Sequence, residues 1–231
     1  GIDMRTLWGE QLIQQVQTVI KHIRCDGDHN IMFRIAFMWA QLNTGMGFHL
    51  LEYPGLSVPH LECKWMESMR SGLAALQGSI QCIENFIVPI AQEGDTYIMD
   101  AICESKKFTK NEVRQINACS LYLKVLLTPD ISTPCGTCIA NKYDGGSIKD
   151  KQNWPTIKYP RQARPNSGAW ILWRKALHSL FLEDDKTTLL ASLGAWFPRH
   201  RSHYQWKYFL HENTLYKTTA TKEYSLSSIH I

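Results

Sequence analysis

The residues best equipped for chemistry are two cysteines three apart, Cys135 and Cys138 in the stretch CGTC, whose thiolates could ligate zinc or form a redox pair. A structural zinc site needs four ligands, and neither a second CxxC nor a regularly spaced histidine pair lies near them. The preferred reading of CGTC is therefore a plain turn, with a metal or redox role as the alternative. Glu183, Asp184 and Asp185 form a consecutive acidic run. Two-metal catalysis needs carboxylates that converge from separated positions, whereas neighbours on a helix point apart, so this run reads as a solvated helix end. Arg199, His200, Arg201 and His203 cluster together. The histidines lack further metal ligands, and the two arginines are better suited to phosphate. HExxH, GxSxG, Walker A and GxGxxG patterns do not occur, which argues against protease, hydrolase and nucleotide-binding chemistry. No catalytic residue, metal ligand or cofactor is assigned.

The strongest signal is for a polyanion. Residues 1–141 carry 11 Lys/Arg against 14 Asp/Glu, a balance of −3; residues 142–175 carry 8 against 2, or +6; residues 176–231 carry 6 against 5, or +1. In the basic middle segment Lys149, Lys151, Lys158, Arg161, Arg164, Arg174 and Lys175 interleave with Trp154, Tyr159, Trp170 and Trp173. Cations neutralise phosphates while aromatic faces stack on unpaired bases, the pairing used by surfaces that bind single strands. The candidate nucleic-acid-binding set is Lys149, Lys151, Trp154, Lys158, Arg161, Arg164, Arg174, Lys175, Arg199 and Arg201. A basic linker beside a core-filling helix is the structural alternative. Trp170 and Trp173, three apart, suit the core better than a stacking platform. For Arg161 and Arg164, phosphate contact and a solvated linker weigh equally.

Apolar spacing predicts a mainly α fold of the α+β class around these positions. Leu7, Trp8, Leu12, Val16, Val19, Ile20 and Ile23 recur at three- and four-residue steps and define a first amphipathic helix. After the turn-like CDGDHN, a second helix runs through Ile31, Ile35, Met38 and Leu42 to Gly45; being apolar nearly all round, it should be central. Ser57 ahead of Val58 and Pro59 predicts the start of a third helix carrying Leu61, Trp65, Met69, Leu73 and Leu76. SIQCIENFIV reads as extended, and Asp95 as the cap of a short helix, YIMDAICES. Thr109 and Glu112 form a capping box. The helix it opens must finish by about Leu127, because Pro129 removes a backbone donor and disfavours helix at Thr128. DISTPCGTCI is then a turn or short ribbon, followed by an irregular crossing rich in Gly, Pro, Asn and Lys. Ser167 is expected to cap a further helix through Trp170, Trp173, Leu177, Leu180 and Phe181. Past it, QWKYFL, the turn HEN and TLYKTTAT alternate as a hairpin to which KEYSLSSI adds a third strand, a small antiparallel β-hairpin or meander at the C-terminus.

The expected organisation is a helical domain over 1–128, a basic Pro/Gly-rich connection over 129–168, and a helix plus small β-rich C-terminal subdomain over 169–231. A chain of 231 residues with 44% apolar and 20% charged side chains can bury a substantial core. No apolar run approaches the ~20 residues of a membrane span, and the first residues lack a secretory signal. The seven cysteines are odd in number, and five of them fall in apolar or helical surroundings. Together these point to a soluble, intracellular protein of a reducing compartment, cytoplasmic or nuclear, without membrane contact. A start at Gly1 rather than methionine fits a piece of a longer chain.

Several stretches come in an order that resembles a known family: WAQLNTGMGFHLLE, PHLECKWMESMRSGL, GDTYIMDAI, INACSLYLKVLLTPDIST, RPNSGAWILWRKAL and LGAWFPRHRSHYQWKYFLHENTLYKTT. In this order they resemble the region between the reverse transcriptase and RNase H domains of non-LTR-like retroelement proteins from eukaryotic microbes. The likeness covers most of residues 31 to 219 and lies in order and spacing more than in any single motif. It implies a non-catalytic connecting or thumb-like region that assists the binding of an RNA or DNA template–primer, with the adjacent polymerase and RNase H domains as partners. The family's YxDD-type signature and RNase H acidic set are both missing, so the resemblance transfers no catalytic residue. CGTC departs from the simple glycine-bearing turn expected at that point. The alternative function is a purely structural scaffold docking on a polymerase domain; a zinc-binding or unrecognised enzyme domain ranks third.

Overall fold

The structure, a computed structural model, describes residues 7–25, 27–81, 87, 90, 93–133, 135–140, 143 and 162–194, together with the backbone of 208–211, 214–218 and 223–228. Of Ile23 only the backbone is described. The chain is mainly helical: α1 (Leu7–Arg24), α2 (Asp28–Thr44), α3 (Lys64–Ala75), α4 (Ile98–Ser105), α5 (Lys110–Leu123), the single turn α6 (Thr128–Ile131) and α7 (Ser167–Leu180). No helix of the described residues is long and apolar enough to cross a membrane. One buried cluster runs from Leu12 and Val19 of α1, through all the longer helices, to Leu193.

The apolar stripe of α1 is buried at Leu12 and Val19, while Leu7 and Trp8 in its first turn stay exposed. Helix α2 buries Ile35, Phe37, Met38, Gln41 and Leu42, as its nearly uniform apolar character requires. It stops at Gly45, whose φ of 63° places it in the left-handed region open to glycine, and whose N–H closes on the carbonyls of Gln41 and Leu42.

Residues 45–63 do not open a helix at Ser57. They dip into the core at Met46, Leu50, Leu51 and Leu61, surface at Tyr53 and over 55–57, and α3 begins only at Lys64. Their backbone polar groups are met by local turns, such as Tyr53 N–H to the His49 carbonyl and Leu61 N–H to the Val58 carbonyl, and by side chains instead of by a helical ladder. Gln41 Nε2 donates to the carbonyls of Met46 and Phe48, both at 2.8 Å, and its Oε1 accepts from Leu50 N–H at 3.3 Å. The buried Arg70 guanidinium donates to the carbonyls of Leu50 and Leu56 and lies over the Phe48 ring, 5.9 Å from its centroid. Gly47 N–H donates to the Asp100 carboxylate at 3.0 and 3.2 Å, and His60 Nε2 meets the Thr44 carbonyl at 2.7 Å.

Asp95 likewise serves a different role from helix capping. Its carboxylate accepts from Thr128 Oγ1 at 2.9 Å, part of a tie in which Thr128 N–H reaches the Thr96 carbonyl at 3.0 Å and Ile98 N–H the Leu126 carbonyl at 2.9 Å. The chain is thus anchored to the α5–α6 connection and the start of α6 as α4 begins. SIQCIENFIV lies partly outside the described residues; its described ends form no strand, and Ile80 N–H bonds the Leu51 carbonyl.

The capping box of α5 is formed: Thr109 N–H donates to Glu112 Oε2 at 2.8 Å and Glu112 N–H to Thr109 Oγ1 at 3.4 Å. α5 ends at Leu123 with Lys124 left-handed, four residues short of the limit set by Pro129. Pro129 falls in the first turn of α6, where a missing donor is harmless, and Asp130 accepts from both Leu126 and Leu127 N–H at 2.9 Å. Asn166, one residue before Ser167, caps α7 by accepting from Ala169 N–H at 2.9 Å. Backbone strands β1 (Tyr208–His211), β2 (Thr214–Thr218) and β3 (Glu223–Ser228) pair antiparallel in that order.

Burial shifts two of these groups in opposite senses. Burial, opposed by the Gly47 N–H bond and aided by Glu104, raises Asp100 to about 6 from 3.8. The folded carboxyl therefore keeps its proton where the unfolded one has lost it, and the stability it contributes is present at low pH and lost as pH rises through about 6. Burial lowers His60 to about 4 from 6.5, so its contribution is present above about 6.5 and lost as pH falls towards 4. The two oppose each other across the same window. In urea titrations Asp100→Asn is expected to lose stability on acidification through that window, by about 3 kcal/mol, and His60→Gln to gain it. An Asp100→Asn midpoint indifferent to pH would contradict this assignment.

Candidate nucleic-acid interface

Helix α7 divides the basic, aromatic segment by face. Ala169, Trp170, Trp173, Ala176 and Leu177 point inwards. Trp173 is fully buried and its indole N–H donates to the Tyr143 carbonyl at 2.9 Å; Trp170 donates to the Pro165 carbonyl at 3.2 Å and meets Tyr122 edge-on, centroids 5.8 Å apart. These indoles satisfy their N–H groups inside the protein, leaving no face for a base.

The opposite face, at the same three- and four-residue steps, carries Ile171, Arg174, Lys175, His178 and Ser179 around a shallow depression. Arg174 and Lys175 are exposed, and neither forms an ion pair with a carboxylate among the described residues. Lys175 Nζ lies 5.9 Å from the Phe108 ring centroid, with Glu112 the acidic neighbour that senses its charge. Lys107 Nζ donates to the Ser179 carbonyl at 3.2 Å, adding a cation from the α4–α5 connection to the C-terminal end of α7, where the helix dipole favours one. Arg164 is exposed two residues before the Asn166 cap.

Of the ten residues expected to touch nucleic acid, Arg164, Arg174 and Lys175 are placed at α7. Lys149, Lys151, Trp154, Lys158, Arg161, Arg199 and Arg201 lie outside the described residues, as do His200 and His203. Lys107 and His178 were not among the expected set. His178 follows Arg174 by one helical turn and was legible from spacing, whereas Lys107 is 72 residues from its Ser179 partner and no local pattern could have found it.

A groove of about 880 Å³ lies between α2, the stretch leading into α3, and α5, with Phe33, Trp39 and Trp65 among its walls. Asn117 donates to the Asn43 carbonyl at 2.7 Å, while its own buried Oδ1 has no hydrogen-bond partner. His60 lines the groove beside Cys103, 3.8 Å from Nδ1 to Sγ. A reactive cysteine–histidine pair needs a thiolate and an imidazolium, but burial lowers the imidazole to about 4 and raises the Cys103 thiol to about 12. Both therefore stay neutral near pH 7, the opposite of the charges such a pair uses. No group of three or more His, Cys, Asp or Glu suited to a metal ion occurs among the described residues.

Comparisons with protein-family models, curated proteins and solved structures find no match to this chain.

The two faces of α7 predict opposite mutational behaviour. Trp173→Ala is expected to cost about 3–5 kcal/mol of stability, while Arg174→Ala next to it stays within about 0.5 kcal/mol of wild type. Chemical denaturation of both variants checks this; comparable losses would contradict the division of faces.

Proposed function

We propose that this chain is a non-catalytic connecting, thumb-like region of a retroelement reverse transcriptase polyprotein that helps hold an RNA or DNA template–primer. It works beside the polymerase and RNase H domains of the same polyprotein, inside the cell, in the cytoplasm or the nucleus. The C-terminal strands form a small antiparallel meander beyond the helical body. The observation that carries the reading is the outward face of α7, where Arg174, Lys175 and Lys107 gather on a rigid helix whose aromatic side is committed to the core. Cations on such a surface hold phosphates without reading sequence, which suits a region that grips a template–primer and leaves chemistry to its neighbours. The neutral, buried state of His60 and Cys103 supports the non-catalytic part of the reading.

Fluorescence anisotropy with single-stranded RNA, single-stranded DNA and a hybrid duplex tests it. The logarithm of the affinity is expected to fall linearly with the logarithm of salt concentration, and the combined change Arg174→Ala and Lys175→Ala to reduce that slope by about 2 without moving the urea midpoint. Absence of binding at micromolar protein, or a slope unaltered in the double variant, removes the proposal.

The groove favours a second reading, a structural scaffold. Its apolar walls, the partly exposed Trp65 and the Asn117 Oδ1 lacking a donor suit a segment of the neighbouring polymerase domain that brings an N–H group. Adding that domain in trans should then raise the melting temperature, and Trp65→Ala should cancel the rise. Wild-type and variant protein responding alike would dismiss this reading.

A further inference from the structure

The CGTC stretch is built as a tight hairpin, and its two sulfurs share a hydroxyl. Thr133 N–H donates to the Cys138 carbonyl at 2.8 Å, and Gly136, at a φ of 69°, turns the chain so that its N–H meets the Thr133 carbonyl at 2.9 Å. The turn is held against residues 187–193: Ile139 N–H reaches the Thr187 carbonyl, Leu189 N–H the Thr137 carbonyl and Leu193 N–H the Gly136 carbonyl, each within 2.8–2.9 Å. On this frame the exposed Cys135 Sγ lies 3.0 Å from both Thr133 Oγ1 and Thr137 Oγ1, and Thr137 Oγ1 is also 3.7 Å from Cys138 Sγ.

We propose that Cys135 and Cys138 form a thiol–disulfide site oxidised by hydroperoxides, Cys135 being the attacking thiolate and Cys138 the resolving thiol. The two hydroxyls stand where they can donate to a sulfur anion. Thr133 Oγ1 also reaches the Cys138 carbonyl, 3.0 Å away, and Thr137 Oγ1 the Cys138 sulfur at 3.7 Å, so each hydroxyl divides its one proton between Cys135 and a second acceptor. Hydrogen bonds from the Thr133 and Thr137 hydroxyls, with the Thr137 and Cys135 N–H groups, bring the Cys135 thiol down to about 7. No charged side chain contributes to that shift, and Asp185, the acidic group nearest in sequence to the bracing segment, is occupied with Thr187 and Thr188.

In the first step Cys135 thiolate attacks the terminal oxygen of a hydroperoxide. The S–O bond forms, the O–O bond breaks, and the departing alkoxide or hydroxide takes up a proton. In the second, the Cys138 sulfur attacks the resulting sulfenic sulfur, forming the disulfide and releasing water. Both thiols are oxidised and the peroxide is reduced to an alcohol, or to water, plus water.

Alkylation of the whole chain by iodoacetamide, read cysteine by cysteine by mass spectrometry, tests the thiolate. Cys135 is expected to alkylate half-maximally near pH 7. At that pH its rate should exceed that of an ordinary exposed thiol by about threefold, since the larger thiolate share is partly offset by weaker nucleophilicity. Cys25 and Cys63, also exposed, are the internal references. Thr137→Val should move the midpoint upward and Thr137→Ser restore it. Hydrogen peroxide should then join Cys135 to Cys138 with the loss of two hydrogen atoms. Cys138→Ser should instead accumulate a dimedone-reactive sulfenic acid at Cys135, and Cys135→Ser should leave Cys138 reduced. The proposal is overturned if Cys135 alkylates no faster than Cys25 and Cys63, if Thr137→Val changes nothing, or if peroxide that oxidises those references leaves Cys135 and Cys138 unjoined.

Discussion

The structure depends on one constraint: residues 45–63 bury Met46, Leu50, Leu51, His60 and Leu61 without regular secondary structure, so backbone polar groups at Met46–Leu50 and Leu56 need partners beyond the local turns. A buried amide or carbonyl left alone costs about 1–3 kcal/mol, and several such groups would exhaust the stability of a domain of this size. Gln41, Arg70 and Asp100 are the partners, while His60, from the stretch itself, ties it to the Thr44 carbonyl at the end of α2. Gln41, His60 and Arg70 are three of the eight buried polar or charged side chains among the described residues, and Gln41, Arg70 and Asp100 join α2, α3 and α4 to the same stretch of chain. Replacing any of them by an apolar residue of similar size would strand the carbonyls or amides it serves.

That arrangement also sets the electrostatics. Arg70, lowered to about 10 by burial, remains protonated at neutral pH, and its guanidinium meets two carbonyls and the Phe48 ring. His60 and Cys103, which on a surface could have formed a nucleophilic pair, are instead held neutral by the same burial. Interior ionisable groups are thus committed to structure, and the cations on the solvent face of α7 and at Lys107 are among the exposed charges open to a partner molecule.

Helix α7 is where stability and the proposed function meet. Its tryptophans fasten it to α5 and to Tyr143, fixing the axis and hence the direction in which Arg174 and Lys175 project. Cations held on a packed helix lose less conformational freedom on binding a phosphodiester strand than cations on a free linker. The cysteine hairpin is held by backbone hydrogen bonds to residues 187–193, shortly beyond α7, so its sulfur geometry also rests on a braced frame rather than on a lone turn.

Features set by neighbours within about four residues were legible in the sequence. The Thr109–Glu112 box, the end of α2 at Gly45 and the inward spacing of Trp170 and Trp173 follow from local hydrogen bonding and helical period alone. The course of residues 45–63 was not legible. Ser57 and Pro59 carry a valid local start signal, but the chain just before them is held by distant partners: Arg70 reaches the Leu56 carbonyl from 14 residues away, and Asp100 reaches Gly47 from 53. Asp95 was diverted by the same kind of competition, taken up by Thr128 before it could cap α4. Lys107 joined the cationic face because folding carried it to Ser179. Local periodicity therefore determined which segments are helices and which of their faces are apolar. Only the tertiary structure decided where α3 and α4 begin and which distant groups the helices serve, since a buried polar atom takes whichever partner the packed chain brings within hydrogen-bonding reach.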